Sequence, residues 1–288
     1  MSASRVWLIT GASAGLGLEL AKAAASHGDR VIAATRSPQK LKPIPGVTPA
    51  RLDHNESLEQ VKASIKDIID IHGTVDIVVN NAAYVQTGTV EETTVEETQK
   101  QFQANTFGPI NVYRAILPHL RSKGSGSLVT IGSMAAWYPM NGCNLYNGSK
   151  AALRWMVIGL AEEVRPFGIK HCLVEPGFFR TNLLKSDANI AKTSSETRLP
   201  AYDEINAKAD QAFLDFHDTQ LGDPVKGAEV LYDVITSSGI AAGRELPGFL
   251  PLGSDASTII AKAAKATIDD VEKWADVAAQ SDYPEGQR

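Results

Sequence analysis

The chain has 288 residues, 43% of them hydrophobic and 21% charged, a globular composition sufficient for one large core or two modest ones. Its net charge of −5 argues against a nucleic-acid partner, because proteins that bind phosphate backbones are usually basic. The two cysteines cannot form a disulfide framework, the six histidines show no zinc-ligand spacing, and no apolar run could span a membrane. We therefore expect a cytoplasmic protein with no metal, nucleic-acid or membrane partner.

Short apolar runs alternate with longer helical patterns through the first 175 residues. Apolar residues recur at helical spacing between the runs, as in Leu16, Leu20 and Ala23. Buried strands that alternate with helices are typical of a parallel sheet covered on both faces. We therefore predict an α/β fold of the Rossmann type, a doubly wound parallel sheet in a single domain over residues 1–288. The predicted strands are 6–9, 30–34, 47–52, 75–79, 127–131 and 169–174.

The alternation of strand and helix patterns stops at a polar segment, 183–223, which shows no clear strand pattern. This segment is predicted to be a substrate-loop insert over a site. A helix is predicted after Pro224, with Val225, Ala228, Val230 and Leu231 on its inner face. A last strand over 245–252 and a helix over 257–279 complete the pattern. Residues 253–288 are expected to form a C-terminal helical extension.

A glycine-rich segment at 10–17 follows the first predicted strand and opens the first predicted helix. Its three glycines permit a tight turn, close approach of the backbone to a pyrophosphate, and close packing of helix on strand. The helix start also presents free N–H groups and a partial positive charge. A plain strand-to-helix turn is the alternative. The context favours a dinucleotide site formed by Gly11, Ser13, Gly15, Leu16 and Gly17.

The end of the second predicted strand bears on which dinucleotide is bound. A site selective for NAD places a carboxylate there to accept the hydroxyls of the adenosine ribose. This chain has Thr35 at that position, followed by Arg36, whose guanidinium suits a 2′-phosphate. An ordinary surface arginine is the alternative. We therefore predict NADP(H) as the cofactor, with Ser13 as a further donor to the phosphate.

The motif Tyr146-x3-Lys150 places a phenol and an ammonium on one face of a helix. Because the pKa of a free tyrosine is about 10, a nearby lysine and an oxidised nicotinamide would be needed to stabilise the phenolate. The motif alone is weak, but it opens a helix, and Ser133 lies 13 residues upstream at a strand end. Ser133 is predicted to hydrogen-bond the substrate oxygen, although a serine there could simply cap the strand end.

The glycine spacing G-x3-G-x-G, with Ser133 and the Tyr-x3-Lys motif, resembles the classical short-chain dehydrogenase/reductase family over about residues 5–181. The resemblance implies a catalytic tetrad completed by Asn105, which would kink its helix and hold a water that connects Lys150 to solvent. It also implies that Asp53 accepts from the adenine amino group. From the residues alone, Asp53 could equally cap the following helix.

The same resemblance implies two further backbone segments around the cofactor. One is the sequence Asn80-Asn81-Ala82-Ala83, in which Asn81 is a predicted contact and Ala83 departs from the glycine usual in the family. The other follows the sixth predicted strand and would clasp the nicotinamide carboxamide. Its predicted contacts are Pro176, Gly177, Phe179 and Thr181. Tyr146 and Lys150 are predicted to contact the cofactor as well.

An apolar rim is expected around the substrate, formed by residues 134–145 together with Tyr84, Val85, Phe178 and Phe179. This rim favours a hydrophobic ketone, aldehyde or secondary alcohol, although Trp137 could instead pack on a neighbouring subunit. We predict an oxidoreductase. A cyclase, dehydratase or epimerase on the same fold and a protein that only senses NADP(H) remain alternatives. The family resemblance implies a homodimer or homotetramer through the helices that carry Asn105 and Tyr146.

Overall fold

The computed structural model describes residues 4–181, 183, 189–216 and 218–283, which form nine strands and eight α-helices. The strands are β1 Val6–Thr10, β2 Arg30–Thr35, β3 Val47–Arg51, β4 Ile77–Asn80, β5 Val85–Thr87, β6 Gly126–Ile131, β7 Ile169–Pro176, β8 Ile190–Lys192 and β9 Phe249–Leu252. The helices are α1 Gly15–Ser26, α2 Leu58–His72, α3 Val95–Phe102, α4 Gly108–Lys123, α5 Asn144–Val164, α6 Asp203–Phe216, α7 Pro224–Thr236 and α8 Ser254–Ala278.

Seven strands form one parallel sheet in the order β3-β2-β1-β4-β6-β7-β9. The chain starts in the middle of the sheet, winds outward to β3, and then returns to build the other half from β4. The order reverses between β1 and β4, and a sheet of this kind binds its ligand beside such a point, at the carboxyl ends of the strands. The predicted Rossmann-type fold is confirmed.

The sheet separates two apolar layers, because neighbouring side chains along a strand point to opposite faces. Leu8 and Ile32 belong to the layer covered by α2, α4 and α5, whereas Ile9 and Val31 belong to the layer covered by α1 and α7. All four side chains are fully buried. This burial on both faces explains why the strands read as continuous apolar runs.

Helix starts correct two details of the sequence interpretation. Helix α2 is capped by Ser57, whose Oγ accepts from Gln60 N while Gln60 Oε1 accepts from Ser57 N, so Asp53 is not its cap. Helix α7 buries Ala228 and Leu231 as predicted. The prediction for Val225 is wrong: it lies in the first turn and is 55% exposed, because this end of the helix extends beyond the core.

The segment 183–223 contains a strand that was not predicted. Residues Ile190–Lys192 pair in parallel with Val85–Thr87, and Val85 N donates to Asn189 O across the junction. Three residues are too few to show alternation, and the pairing partner lies about a hundred positions away in the sequence. The last strand is shorter than predicted, beginning at Phe249 just after Pro247 and Gly248. Among the described helices, none is long and apolar enough to cross a membrane.

Candidate active site

A cleft of about 870 Å³ opens at the carboxyl ends of β1, β2, β4, β6 and β7. The structure brings most of the predicted site residues to this one cleft. Gly17 and Asn105 do not line it, and each has a role behind the lining. The predicted residues that do line it are Gly11, Ser13, Gly15, Leu16, Arg36, Asp53, Asn81, Ser133, Tyr146, Lys150, Pro176, Gly177, Phe179 and Thr181.

The glycine-rich turn forms a cradle beside the first turn of α1. Gly11 and Gly15 have φ angles of +65° and +58°, which side chains with a Cβ rarely adopt. A Cβ on Gly11 would lie 2.7 Å from Ala82 Cα. Ala14, at the helix N-cap, gives no side-chain hydrogen bond to the first turn, so its N–H groups stay available to a ligand. These features fit a dinucleotide phosphate.

Gly17 keeps α1 close to the end of β4. A Cβ there would lie 2.3 Å from Asn81 Nδ2 and 2.9 Å from Gly11 O. Asn81 in turn holds the cradle, since its Nδ2 donates to Thr10 O at 3.0 Å and its backbone N donates to Thr10 Oγ1 at 3.0 Å. Gly17 therefore shapes the turn through packing and does not contact the cleft.

Arg36 and Asp53 lie at the end of the cleft formed by β2 and β3. Arg36 is exposed where β2 ends. Asp53 turns the chain after β3, with Oδ1 accepting from Asn55 N at 3.0 Å and from Asn55 Nδ2 at 2.9 Å. One Asp53 oxygen is thus engaged locally at the edge of the cleft.

Tyr146 and Lys150 lie one turn apart on α5 and are buried, with 8% and 3% of their surfaces exposed. Lys150 Nζ donates to Ile131 O at 2.9 Å and lies 6.0 Å from the centre of the Tyr146 ring. Ser133 Oγ accepts from Ala135 N at 3.1 Å, so this serine does cap the turn after β6. It also faces Tyr146, whose pKa it lowers by hydrogen bonding. The capping interpretation of Ser133 is therefore confirmed, and its contact with a substrate oxygen stays a prediction.

Burial shifts the pKa values of Tyr146 and Lys150 in opposite directions. It raises the pKa of Tyr146 to about 12, against the smaller opposing effect of the Ser133 hydrogen bond. Burial also lowers the pKa of Lys150 to about 8, while the carboxylate of Glu175 raises it. At neutral pH the chain's own groups therefore hold a neutral phenol beside an ammonium.

Asn105 lies in a π-helical turn, Gln103–Phe107, between α3 and α4, which confirms the predicted helix irregularity. Its side chain is fully buried behind the cleft. Asn105 Nδ2 donates to Tyr84 O at 2.9 Å and to Ser149 Oγ at 3.2 Å, and its Oδ1 accepts from Tyr84 N. Asn105 thus connects α5, at the residue before Lys150, to the loop after β4.

The loop after β7 is held by an aspartate that the sequence interpretation did not single out. Asp255, in the first turn of α8, accepts from Phe178 N through Oδ2 at 2.8 Å. A Cβ on Gly177 would lie 2.0 Å from Asp255 Oδ1, so this approach requires glycine. Phe179 packs on α7, where a Cβ on Gly227 would lie 2.5 Å from its ring. Phe179 therefore belongs both to the core and to the cleft wall.

Trp137 was predicted to rim the cleft, but it does not line it. The Trp137 Nε1 donates to Glu175 Oε2 at 2.5 Å. The Arg154 guanidinium stacks over the Trp137 ring, with the arginine Cζ 4.2 Å from the ring centre. Arg154 also pairs with the fully buried Glu175 at 3.0 Å. The wrong prediction arose because the sequence does not show that the turn after Ser133 directs this side chain away from the cleft. Tyr138 and Met140 do line the cleft.

Two acidic side chains, one in the loop before α3 and one in α3 itself, fasten the segment 189–216 to this part of the chain. Glu92, fully buried, accepts from Leu199 N at 3.0 Å and from Asn206 Nδ2 at 2.9 Å. Burial raises its pKa, but these hydrogen bonds outweigh burial and hold the pKa at about 2. Glu97 accepts from Thr193 Oγ1 and from Ser194 N. These contacts, missed in the sequence, place Ile190 and Phe213 over the cleft.

Among the described residues, no three His, Cys, Asp or Glu side chains are grouped so that they could hold a metal ion.

The sequence model of the short-chain dehydrogenase family matches residues 5–191, which is more than half of the chain. The chain belongs to that family. Its oxidoreductase relatives include BOA17 of Botryotinia fuckeliana, 32% identical over 284 residues, which are 96% of this chain and 99% of that protein.

Solved structures of short-chain dehydrogenases have the same fold as this chain. A short-chain dehydrogenase from Streptomyces avermitilis is 34% identical, with a TM-score of 0.86 over 98% of this chain and 100% of that one. Two more distant structures show the same fold. One, from Burkholderia cenocepacia, is in complex with NADP (22% identical, TM-score 0.69, 94% and 97% covered). The other, from Burkholderia phymatum, is in complex with NAD (20%, TM-score 0.74, 93% and 94%).

Proposed function

We propose that this short-chain dehydrogenase uses NADP(H) to interconvert a hydrophobic ketone or aldehyde and the corresponding alcohol, with Tyr146 exchanging the proton. The observation that supports this most strongly is the position of Tyr146. It is buried in the same cleft as the phosphate cradle, with Ser133 facing its phenol and Lys150 one turn along α5. A proton donor and an anion site thus share one enclosed space.

The cofactor, when bound, supplies or accepts the hydride at the reacting carbon. The chain would hold its phosphates with the backbone at Gly11 and Gly15 and with the first turn of α1. Arg36 supports the preference for a 2′-phosphate, because it is exposed at the cleft edge beside Thr35, where NAD-selective sites carry a carboxylate. Asn81, Gly177 and Thr181 would line the remaining length of the cofactor.

The proton step follows from the protonation of the two buried groups. In reduction, Tyr146 donates its phenolic proton to the substrate oxygen, and Ser133 holds that oxygen while charge develops on it. The ammonium of Lys150 favours the phenolate that remains. In oxidation the phenolate accepts the proton back. Since burial raises the pKa of Tyr146 to about 12, the chain by itself favours the donor role.

The cleft supports a hydrophobic substrate. Tyr146 packs in a cluster with Val85, Ala135 and Cys143. Partly buried apolar side chains from the rim and from the 183–223 segment complete the cluster, namely Met140, Leu183, Ile190 and Phe213. Against these apolar side chains a small charged metabolite would lose hydration, which favours a hydrophobic substrate.

The proposal is tested by following the absorbance of NADPH in the presence of aromatic, polycyclic and quinone carbonyl compounds. We expect turnover with at least one of them, and a higher kcat/KM with NADPH than with NADH. Arg36→Ala should reduce this preference, whereas Arg244→Ala, an arginine in the turn before β9, should leave it unchanged. Tight NADPH binding without turnover of any carbonyl would contradict the redox assignment. An unchanged preference in Arg36→Ala would remove Arg36 from the cofactor site.

A further inference from the structure

The end of α8 extends away from the body of the protein. We call residues 261–278 the C-terminal arm. The helix is anchored before the arm by the buried residues Ala256 and Ile260. Within the arm, Ile268, Val271 and Trp274 are 55%, 65% and 57% exposed. At 1.5 Å per residue the arm is about 27 Å long.

A helix of this kind is poorly stabilised when it stands alone in water. Isolated helices of this length are marginal, and helical stability in proteins comes mainly from packing of an apolar face. The large apolar side chains of the arm contribute little while they remain exposed to solvent. The arm therefore presents a surface that gains stability when another surface covers it.

Ile268 and Val271, with alanines on either side, follow the seven-residue spacing of a two-stranded coiled coil. Trp274 and Val277, which are 57% and 56% exposed, lie outside this seam. The seam positions are separated alternately by three and four residues, as paired helices require. Ile268 and Val271 stand at the centre of the seam, with small residues on either side. The seam therefore has the same order of sizes in both directions along the helix, Ala261, Ala264, Ile268, Val271, Ala275 and Ala278.

The charges of the arm indicate which way a partner helix would run. Lys262 and Lys265 lie in the first half, whereas the second half, 270–278, carries three acidic residues and one lysine, Lys273. Lys265 and Glu272 flank the seam on the same side, one heptad apart. In an antiparallel pair these positions meet across the interface, giving two ion pairs related by the two-fold axis. In a parallel pair, Glu272 would face Thr267 instead.

We propose that the C-terminal arms of two copies of this chain pair antiparallel, around a two-fold axis between Ile268 and Val271. A second copy fits because the arm is complementary to itself both in side-chain size and in charge. A membrane surface fits less well, because helices that lie on membranes usually carry a basic polar face, whereas this one is more acidic than basic. The proposal does not depend on the reaction that the protein catalyses.

Sedimentation velocity of the full chain tests the pairing. We expect Val271→Glu to halve the mass of the wild-type assembly at the same concentration. Val90→Glu is the matched control, because Val90 is 66% exposed against 65% for Val271 and lies before α3; it should leave the mass unchanged. A wild-type monomer, or an unchanged mass in Val271→Glu, would overturn the proposal. So would co-sedimentation of the wild type, but not of Val271→Glu, with phosphatidylcholine–phosphatidylglycerol vesicles.

Charge reversal tests the direction of pairing without inserting a charge into the seam. Lys265→Glu should weaken the association at least about tenfold, because it places two acidic side chains opposite each other. Adding Glu272→Lys in the same chain should restore it, since each pair is then reversed. Circular dichroism would verify that the helical content is unchanged. If the double variant associates no better than Lys265→Glu, the antiparallel arrangement is wrong.

Discussion

The pH dependence of carbonyl reduction should report the charge of Lys150. With its pKa at about 8, Lys150 is about nine-tenths charged at pH 7 and about one-tenth charged at pH 9. Since the ammonium favours the phenolate left after proton donation, kcat/KM for reduction should fall about tenfold per pH unit above pH 8. Tyr146, with a pKa of about 12, stays protonated throughout this range.

Glu175 provides the perturbation that tests this assignment. Glu175→Gln removes the negative charge that raises the pKa of Lys150, and it leaves the Arg154 guanidinium without its 3.0 Å partner. Both changes disfavour the ammonium, so the fall in kcat/KM should move to lower pH by on the order of one unit. At pH 8 the variant should then retain about a tenth of its low-pH rate, where the wild type retains about half.

Initial rates of NADPH oxidation between pH 6 and 10, measured below the KM of the carbonyl substrate, give both profiles. Glu229→Gln is the control, because Glu229 lies on α7 and, among the described residues, its only ion pair is with the exposed His27. Thermal unfolding would separate a loss of folded protein from a change in ionisation. A fall at the same pH in Glu175→Gln and the wild type would refute the role assigned to Glu175. A profile flat to pH 10 would refute the role assigned to the Lys150 ammonium.

Three further predictions concern the framework of the site. Gly17→Ala should lower the free energy of unfolding by about 1–3 kcal/mol in denaturant titration, because the new Cβ would lie 2.3 Å from Asn81 Nδ2. An unchanged denaturation midpoint would contradict the packing role of Gly17. Glu92→Gln should raise the substrate KM and speed proteolysis within 189–216, because Leu199 N and Asn206 lose a charged acceptor. Equal cleavage rates in Glu92→Gln and the wild type would contradict the anchoring role of Glu92. Ser57→Ala should cost about 1 kcal/mol, measured likewise by denaturant titration, and a loss below about 0.3 kcal/mol would refute the capping assignment.

The sequence predicted those parts of the molecule that local patterns determine. Continuous apolar runs such as 30–34 indicated buried parallel strands, and three glycines between a strand and a helix indicated the phosphate cradle. Tyr146 and Lys150 share a face because a helix brings residues four apart together. In each case the physical cause acts within a few neighbouring residues, so it can be read directly from the chain.

Other parts depend on contacts between distant segments and could not be predicted in this way. The pairing of β5 with β8 joins residues about a hundred positions apart and involves only three residues in each strand. The ion pair of Arg154 with Glu175 connects a helix to a strand end, and no spacing rule indicates it. Asp255 reaches Phe178 across 77 positions. Trp137 was misplaced for the same reason, since its direction depends on Glu175 and Arg154.

The most direct test of the proposed proton step is the Tyr146→Phe variant, assayed with NADPH and a carbonyl substrate of the wild type. The substitution removes only the hydroxyl from a side chain packed in an apolar cluster, so the fold and the affinity for NADPH should be retained. We expect kcat to fall about 10²- to 10⁴-fold while the Kd for NADPH changes little. Full turnover by Tyr146→Phe would contradict it.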